Sequence, residues 1–400
     1  SRNIEVMWLM GTLAPDHKTI SDFRKDNTEG ICRVFRKLVD LLKESGYIKG
    51  QTISIDGTKI RANASISIDL ESIEKRLDNL EEQLNNYLHQ IDITDTIDQE
   101  IEIAEKEKQQ LQREIEQLKS NIQDLEKQKE VLKDQGAKRI SPTDPESRIM
   151  KSRQGKHFCY NAQVAVDAEN KLLVTTAVVS QENDKGLLLP IVEKAERELG
   201  QSPQEILADA GYYVINQIEK IETEKDIECY VAINHNQREF KRIIYGIDFK
   251  YDASKDLYKC SENGILKPKN GIKRDNKRGT EAQAYVGIHC DQCKMRNQCT
   301  DSQARTVYRY KNQKWKDDYH LKMQQEKGKA KLKQRKALSE HPFGTIKCWM
   351  GHIPLKTRGK KKVEAEFNLY ATCYNFKRML NIKGINELKK LFESNEKMAA

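Results

Sequence analysis

The chain has 400 residues, of which 33% are charged and 37% hydrophobic, and it carries a formal net charge of +9. No stretch of about 18 apolar residues occurs, which argues against a membrane span, and no signal peptide is recognisable. The length suggests roughly two or three domains, and the basic balance suits a polyanionic partner such as nucleic acid.

The first residue is Ser1 rather than Met, inside a stretch (Ile4 to Met10) that reads as helical, so a further N-terminal portion is expected. Residues 1–50 as a whole read as a helical N-terminal region. Pro15-Asp16 breaks it, and Ile31 to Leu42 carries apolar residues at helical spacing. Thr52 to Ile60 alternates β-branched residues and reads as a buried strand, with Asp56 where it runs into Gly57. An acid fixed at the end of a core strand is costly unless a cation faces it.

Residues 66–139 change character. Ile73, Leu77, Leu80 and Leu84, then Leu111, Ile115, Leu118, Ile122 and Leu125, follow four-three spacing with Glu, Lys and Gln between. That pattern predicts an antiparallel coiled-coil hairpin, its turn within His89 to Asp98, inserted into the surrounding domain. Pro142 and Pro145 end it.

Cys159 to Ala168 and Leu172 to Ser180 read as a β-hairpin, and residues 184–199 as an amphipathic helix that Asp184 is expected to cap. Glu205 to Ala208 is another short strand, ending in Asp209 and followed closely by Gly211. A helix over 213–223 and a strand over 228–233 follow. With the coiled coil lifted out, residues 51–65 and 140–235 give an α/β order of strand, hairpin, helix, strand, helix, strand. This is the order of an RNase H-like mixed sheet flanked by helices. Residues 331–400 supply basic and amphipathic C-terminal helices that complete the core, the last from Val363 to Leu380.

Between them, residues 236–330 are basic, turn-rich and Cys-bearing. Cys290, Cys293 and Cys299, with Cys260 upstream, are the residues expected to hold a structural Zn²⁺, with His289 as an alternative ligand. Nine Cys, an odd number with a local cluster, fit a reducing compartment better than a disulfide framework.

Asp56 and Asp209 both close strands and become neighbours if those strands pair. Two adjacent carboxylates call for a cation, and Mg²⁺ suits oxygen ligands of this kind. Glu340, on a helix, is the third acid needed for a two-metal site. Tyr212, Tyr213 and Trp349 lie in the neighbouring segments and read mainly as core aromatics.

The segments SIDGTKIRANAS, ISPTDPESRIM, YNAQVAVD, ENDKG, ILADAGYY, EHPFGTIKCWMG and AEFNLYATCYNFKRMLNI resemble those of bacterial insertion-sequence DDE transposases. Within these, they are most similar to the IS-eleven-eighty-two-like subgroup of the IS-four superfamily. The resemblance covers nearly the whole chain. It implies an RNase H-like core that cuts transposon ends and joins them to target DNA using Mg²⁺ or Mn²⁺. Asp56, Asp209 and Glu340 take the places of the three catalytic, metal-binding acids, and Lys59, Arg61, Arg335, Lys336 and Lys347 fall where DNA contacts are expected. The family's signature has a Lys seven residues after the Glu, which Lys347 satisfies. Its Arg is met one position early by Arg335, and its Tyr position is occupied by Leu332 or Lys333. The implied partners are double-stranded DNA (terminal inverted repeats and target) and a second copy of the chain, in a bacterial, nucleoid-associated, cytoplasmic setting. Two rival readings are an RNase H-like nuclease that cuts without joining, and an inactive remnant that scaffolds DNA.

Overall fold

A computed structural model describes residues 11, 13–95, 101–134, 136, 138–152, 155–234, 246–275, 280–349 and 355–399. The expected helix at Ile4 to Met10 and part of the expected hairpin turn lie outside these residues. Strand β1 (Thr52–Arg61) is at the centre of a mixed sheet. Its Ile53 and Ile55 are fully buried, each contributing on the order of 1.5–3 kcal/mol of apolar burial.

On one side β1 pairs antiparallel with β5 (Gly155–Asp167). On the other it pairs parallel with β7 (Glu205–Ala208), which pairs in turn with β8 (Glu228–Val231). The far edge of β5 is shared by β4 (Arg148–Ser152) and β6 (Leu173–Val179), both antiparallel to it. The element order expected from the sequence is therefore the order observed. β5 is longer than the pattern suggested, because its first residues pair with β4.

Helices flank this sheet. α1 (His17–Asp26) and α2 (Thr28–Glu44) precede it, α5 (Leu188–Leu199) joins β6 to β7, and α6 (Ile215–Lys225) joins β7 to β8. α8 (Gln313–Gln324) and α9 (Glu326–Gly344) follow far downstream, then a π-helical turn (Thr345–Trp349) and α10 (Lys360–Ala399), which kinks at Gly384. α10 is locked to the sheet by a buried side chain. Asn375 accepts from the Leu173 amide (2.8 Å) and donates to the Leu173 carbonyl (2.9 Å). Phe367, Tyr374 and Met379 of its expected apolar face are buried, whereas Leu380 is exposed.

The segment between β1 and β4 leaves the sheet as α3 (Leu70–Asp95) and returns as α4 (Ile101–Asp134), tied at its base by the two-residue strands β2 (Ile68–Asp69) and β3 (Arg139–Ile140). Ile73, Leu77 and Leu132 form a separate small core with Ile68 and Ile140, against which Ile122 and Leu125 pack. An ion pair, Glu74–Lys129 at 3.0 Å, crosses between the arms. The structure thus shows a helical hairpin in which Ile73, Leu77, Ile122 and Leu125 of the expected stripe meet, without establishing a coiled coil.

Residues 249–310 depart from expectation. Instead of turns around a metal they form a five-stranded antiparallel sheet, β9 (Phe249–Asp252), β10 (Leu257–Cys260), β11 (Ile265–Asp275), β12 (Thr280–Gly287) and β13 (Thr306–Tyr310). The short helix α7 (Arg296–Cys299) lies between the last two strands. Its core is aromatic, with Tyr251, Tyr258 and Tyr285 meeting edge-on or tilted at 5.1 to 6.0 Å between ring centroids. Among the described residues, no helix is long and apolar enough to cross a membrane.

Asn375→Ala would leave both backbone groups of Leu173 without these partners in the interior. It is expected to lower stability by about 1–3 kcal/mol per orphaned group in urea unfolding.

Candidate active site

The sheet register assembles the site. Parallel pairing sets Ile55 against Ala208, so Asp56, which lies midway along β1 rather than at its expected end, and Asp209, the residue after β7, come side by side. Gly57 and Gly211 follow, and each donates its amide to the acid before it, at 2.8 Å in both cases. Neither glycine has room for a side chain. A Cβ on Gly57 would lie 2.4 Å from Gln163 Nε2 and 2.9 Å from Asp184 Oδ1, and one on Gly211 would lie 2.9 Å from Asp209 Oδ1.

α9 runs across β8, β7 and β1, from the amino ends of the first two to Asp56, and its register is set by a stripe at four-residue spacing. Lys327 pairs with Glu228 of β8 (2.8 Å), Lys331 with Glu205 of β7, and Arg335 with Asp56 of β1 (Nη1 to Oδ2, 3.6 Å). Ser339 completes the stripe and is buried. Burial pushes the Asp56 carboxyl above its usual range. The Asp209 charge adds to this, while the Gly57 amide, Ser339 and Arg335 oppose it. Asp56 is thus an acid that its own surroundings leave short of positive charge.

Asp184 belongs to the same cluster. Its expected role as a helix cap is not what the structure shows, since α5 begins after Leu187 and Asp184 contributes only its backbone carbonyl to that turn. The side chain turns to β5 instead, where Oδ1 accepts from Asn161 Nδ2 and Gln163 Nε2, both at 2.8 Å. Gln163 Oε1 in turn accepts from the hydroxyl of Tyr212, which is fully buried and held protonated, chiefly by burial and then by the three surrounding aspartates. Asn161 and Gln163 were not foreseen. Their signal was two amides at alternate positions in an otherwise apolar strand, YNAQVAVD.

Lys347, in the π-helical turn, donates to Thr58 Oγ1 two residues beyond Asp56. Lys59 donates to the Lys151 carbonyl (3.1 Å), while Arg61 and Lys336 are exposed. Glu340 is also exposed. It follows Ser339 and is therefore turned about 100° around α9 from the residue that faces Asp56. The structure thus brings together Asp56, Asp209 and Arg335, with Lys347 close along β1, and does not bring Glu340 to them. Asp144, from another of the quoted segments, is buried and accepts from the Tyr160 hydroxyl (2.5 Å) and the Gly359 amide (3.1 Å).

The structure does not show the expected zinc site. Cys260, Cys290, Cys293 and Cys299 line one cavity of about 40 Å³ with Ile265, Leu266 and Met295 and form no disulfide. Among the described residues, no group of three or more His, Cys, Asp or Glu is placed to hold a metal ion. The Cys290 sulfur packs against Gly287, and the Cys260 sulfur accepts from the Gly264 amide (3.2 Å).

Replacing Gly57 by Ala forces a methyl into Gln163 and Asp184. It is expected to cost about 1–3 kcal/mol in thermal or chemical unfolding, as overpacking does.

No curated protein and no solved structure matches the chain. A family match covers residues 259–380, which run from β10 through α9 to the middle of α10 and include Arg335, Ser339, Glu340 and Lys347. That stretch of the chain is a transposase DDE domain.

Proposed function

We propose that the protein is a DDE transposase with an RNase H-like core, cleaving transposon-end DNA and joining the freed 3′ end to target DNA. The observation that carries this reading is the emergence of Asp56 and Asp209 side by side from β1 and β7, beneath a helix that lies in the transposase-matched stretch. The strand order β6-β5-β1-β7-β8, three antiparallel strands followed by two parallel ones, supports the RNase H-like assignment.

The donor set fits Mg²⁺ or Mn²⁺. Both aspartates offer hard oxygen ligands, and Mg²⁺ is satisfied by one or two carboxylates together with water and substrate phosphate. A cation held there would supply an activated water and would stabilise charge on the leaving 3′ oxygen. Arg335 keeps the Asp56 carboxylate oriented and partly neutralised. Lys347, Lys59, Arg61 and Lys336 line β1 and the end of α9 as phosphate contacts, which add affinity and position without reading sequence. Glu340 has the third-acid role only on the resemblance. DNA with terminal inverted repeats is the substrate, and a second copy of the chain is the expected partner on it.

Asp56→Asn should reduce Mg²⁺-dependent cleavage of terminal-repeat DNA by more than about 100-fold. Because the folded-state pKa of Asp56 is raised, its ionised form costs stability at neutral pH, and that cost disappears as pH falls through the raised value. In chelator at pH 7 the variant should therefore melt no lower than the parent, and Mn²⁺ should raise the melting temperature of the parent only. Parental cleavage should fall in acid, as protons compete with the cation for Asp56. Full cleavage by Asp56→Asn would end this reading, and cleavage without joining in a strand-transfer assay would make the protein a nuclease.

A further inference from the structure

We propose that Asp184 is a third carboxylate of the metal site, acting on the cation through its bound water. This rests on the reading of Asp56 and Asp209 as divalent-cation ligands. The two oxygens of Asp184 have different surroundings. Oδ1 is held by two amide donors at 2.8 Å, from Asn161 and Gln163. Oδ2 faces Gly211, 3.1 Å from where a Cβ would stand, on the flank where Asp209 Oδ1 approaches the same point to 2.9 Å.

Both amides are buried in β5, and Gln163 is itself engaged by the buried Tyr212 hydroxyl, so the bracket that orients Asp184 is rigid. A residue needed only to fill space or cap a helix would require no such bracket. Among the described residues, neither Asp184 nor Asp209 has a basic side chain within ion-pair distance, and Arg335 reaches only Asp56. Three carboxylates thus face one guanidinium. A divalent cation from solution would balance that local excess of negative charge.

The water-mediated role fits better than direct ligation, because Oδ1 is already taken by the Asn161 and Gln163 amides and only Oδ2 faces Gly211 and Asp209. Mg²⁺ keeps several waters when bound to proteins, and outer carboxylates orient them. Asp184 is therefore a positioning residue for the cation's hydration shell, placed on the side of the site away from α9.

The test is Mn²⁺ binding by the full chain without DNA, measured by titration calorimetry and by the metal-induced rise in melting temperature. The variants are Asp184→Asn, Asn161→Ala, Asp56→Asn and Glu340→Gln. Asp184→Asn should weaken Mn²⁺ binding by about 10- to 100-fold while its melting temperature in chelator stays near the parent's. Asn161→Ala, which keeps the charge but removes one anchor, should weaken binding less. Should Asp184→Asn fold poorly, the Asn161→Ala affinity decides, and parental affinity there would overturn the proposal. Asp184→Asn binding Mn²⁺ like the parent while Asp56→Asn does not would overturn it and leave the transposase reading intact. A parent that binds no Mn²⁺ would instead remove the reading on which it rests. A loss in Glu340→Gln equal to that in Asp56→Asn, with none in Asp184→Asn, would assign the third carboxylate to α9.

Discussion

The parallel pairing of β1 with β7 is the constraint on which the rest of the site depends. One register, Ile55 against Ala208, decides that two acids more than 150 residues apart in sequence come side by side. A slip of one residue would send each side chain to the opposite face. The register is held by apolar burial at Ile53, Ile55, Ile206 and Leu207, all fully inaccessible, so the energy that fixes the carboxylates comes from the core and not from the carboxylates themselves.

The acids oppose that arrangement. Asp56 is raised in pKa mainly by the same burial that holds its strand, and a single guanidinium at 3.6 Å does not cancel it. The structure thus keeps an only partly compensated charge at Asp56 and sets fixed dipoles about the three aspartates: a glycine amide on each of Asp56 and Asp209, and two side-chain amides, one of them held by a buried phenol, on Asp184. Preorganised polar surroundings of this kind suit a site that takes up a cation and a polyanion together. The stripe Lys327, Lys331, Arg335 supplies the matching order on the helix side. Its outermost pair is largely exposed and contributes little to stability. Its value is in setting how far α9 slides along the strands.

Much of this was legible in the sequence because it is local. Strands with alternating β-branched residues and an acid before glycine declared themselves, and so did the hairpin arms with their four-three spacing. What escaped is what depends on neighbours. β11, ILKPKNGIKRD, contains Pro268 and Gly271 and few apolar residues, so it reads as a turn. It becomes a strand because β10 and β12 hold it and three tyrosines pack together beneath. Asp184 looked like a cap because the residues after it form a helix, and only the fold reveals two amides waiting on β5. Spacing cannot give the side of α9 on which Glu340 stands, since one residue's difference in helix phase separates the stripe from solvent.

The phenol of Tyr319 has a consequence of another kind. β8 is the outermost strand on its side of the sheet, and the Val231 amide and carbonyl at its end are both taken by that one hydroxyl, at 2.8 and 3.1 Å. An open strand margin is a template for another chain. By laying α8 over this margin, the chain closes that template at the end of β8 and guards against indiscriminate self-adhesion.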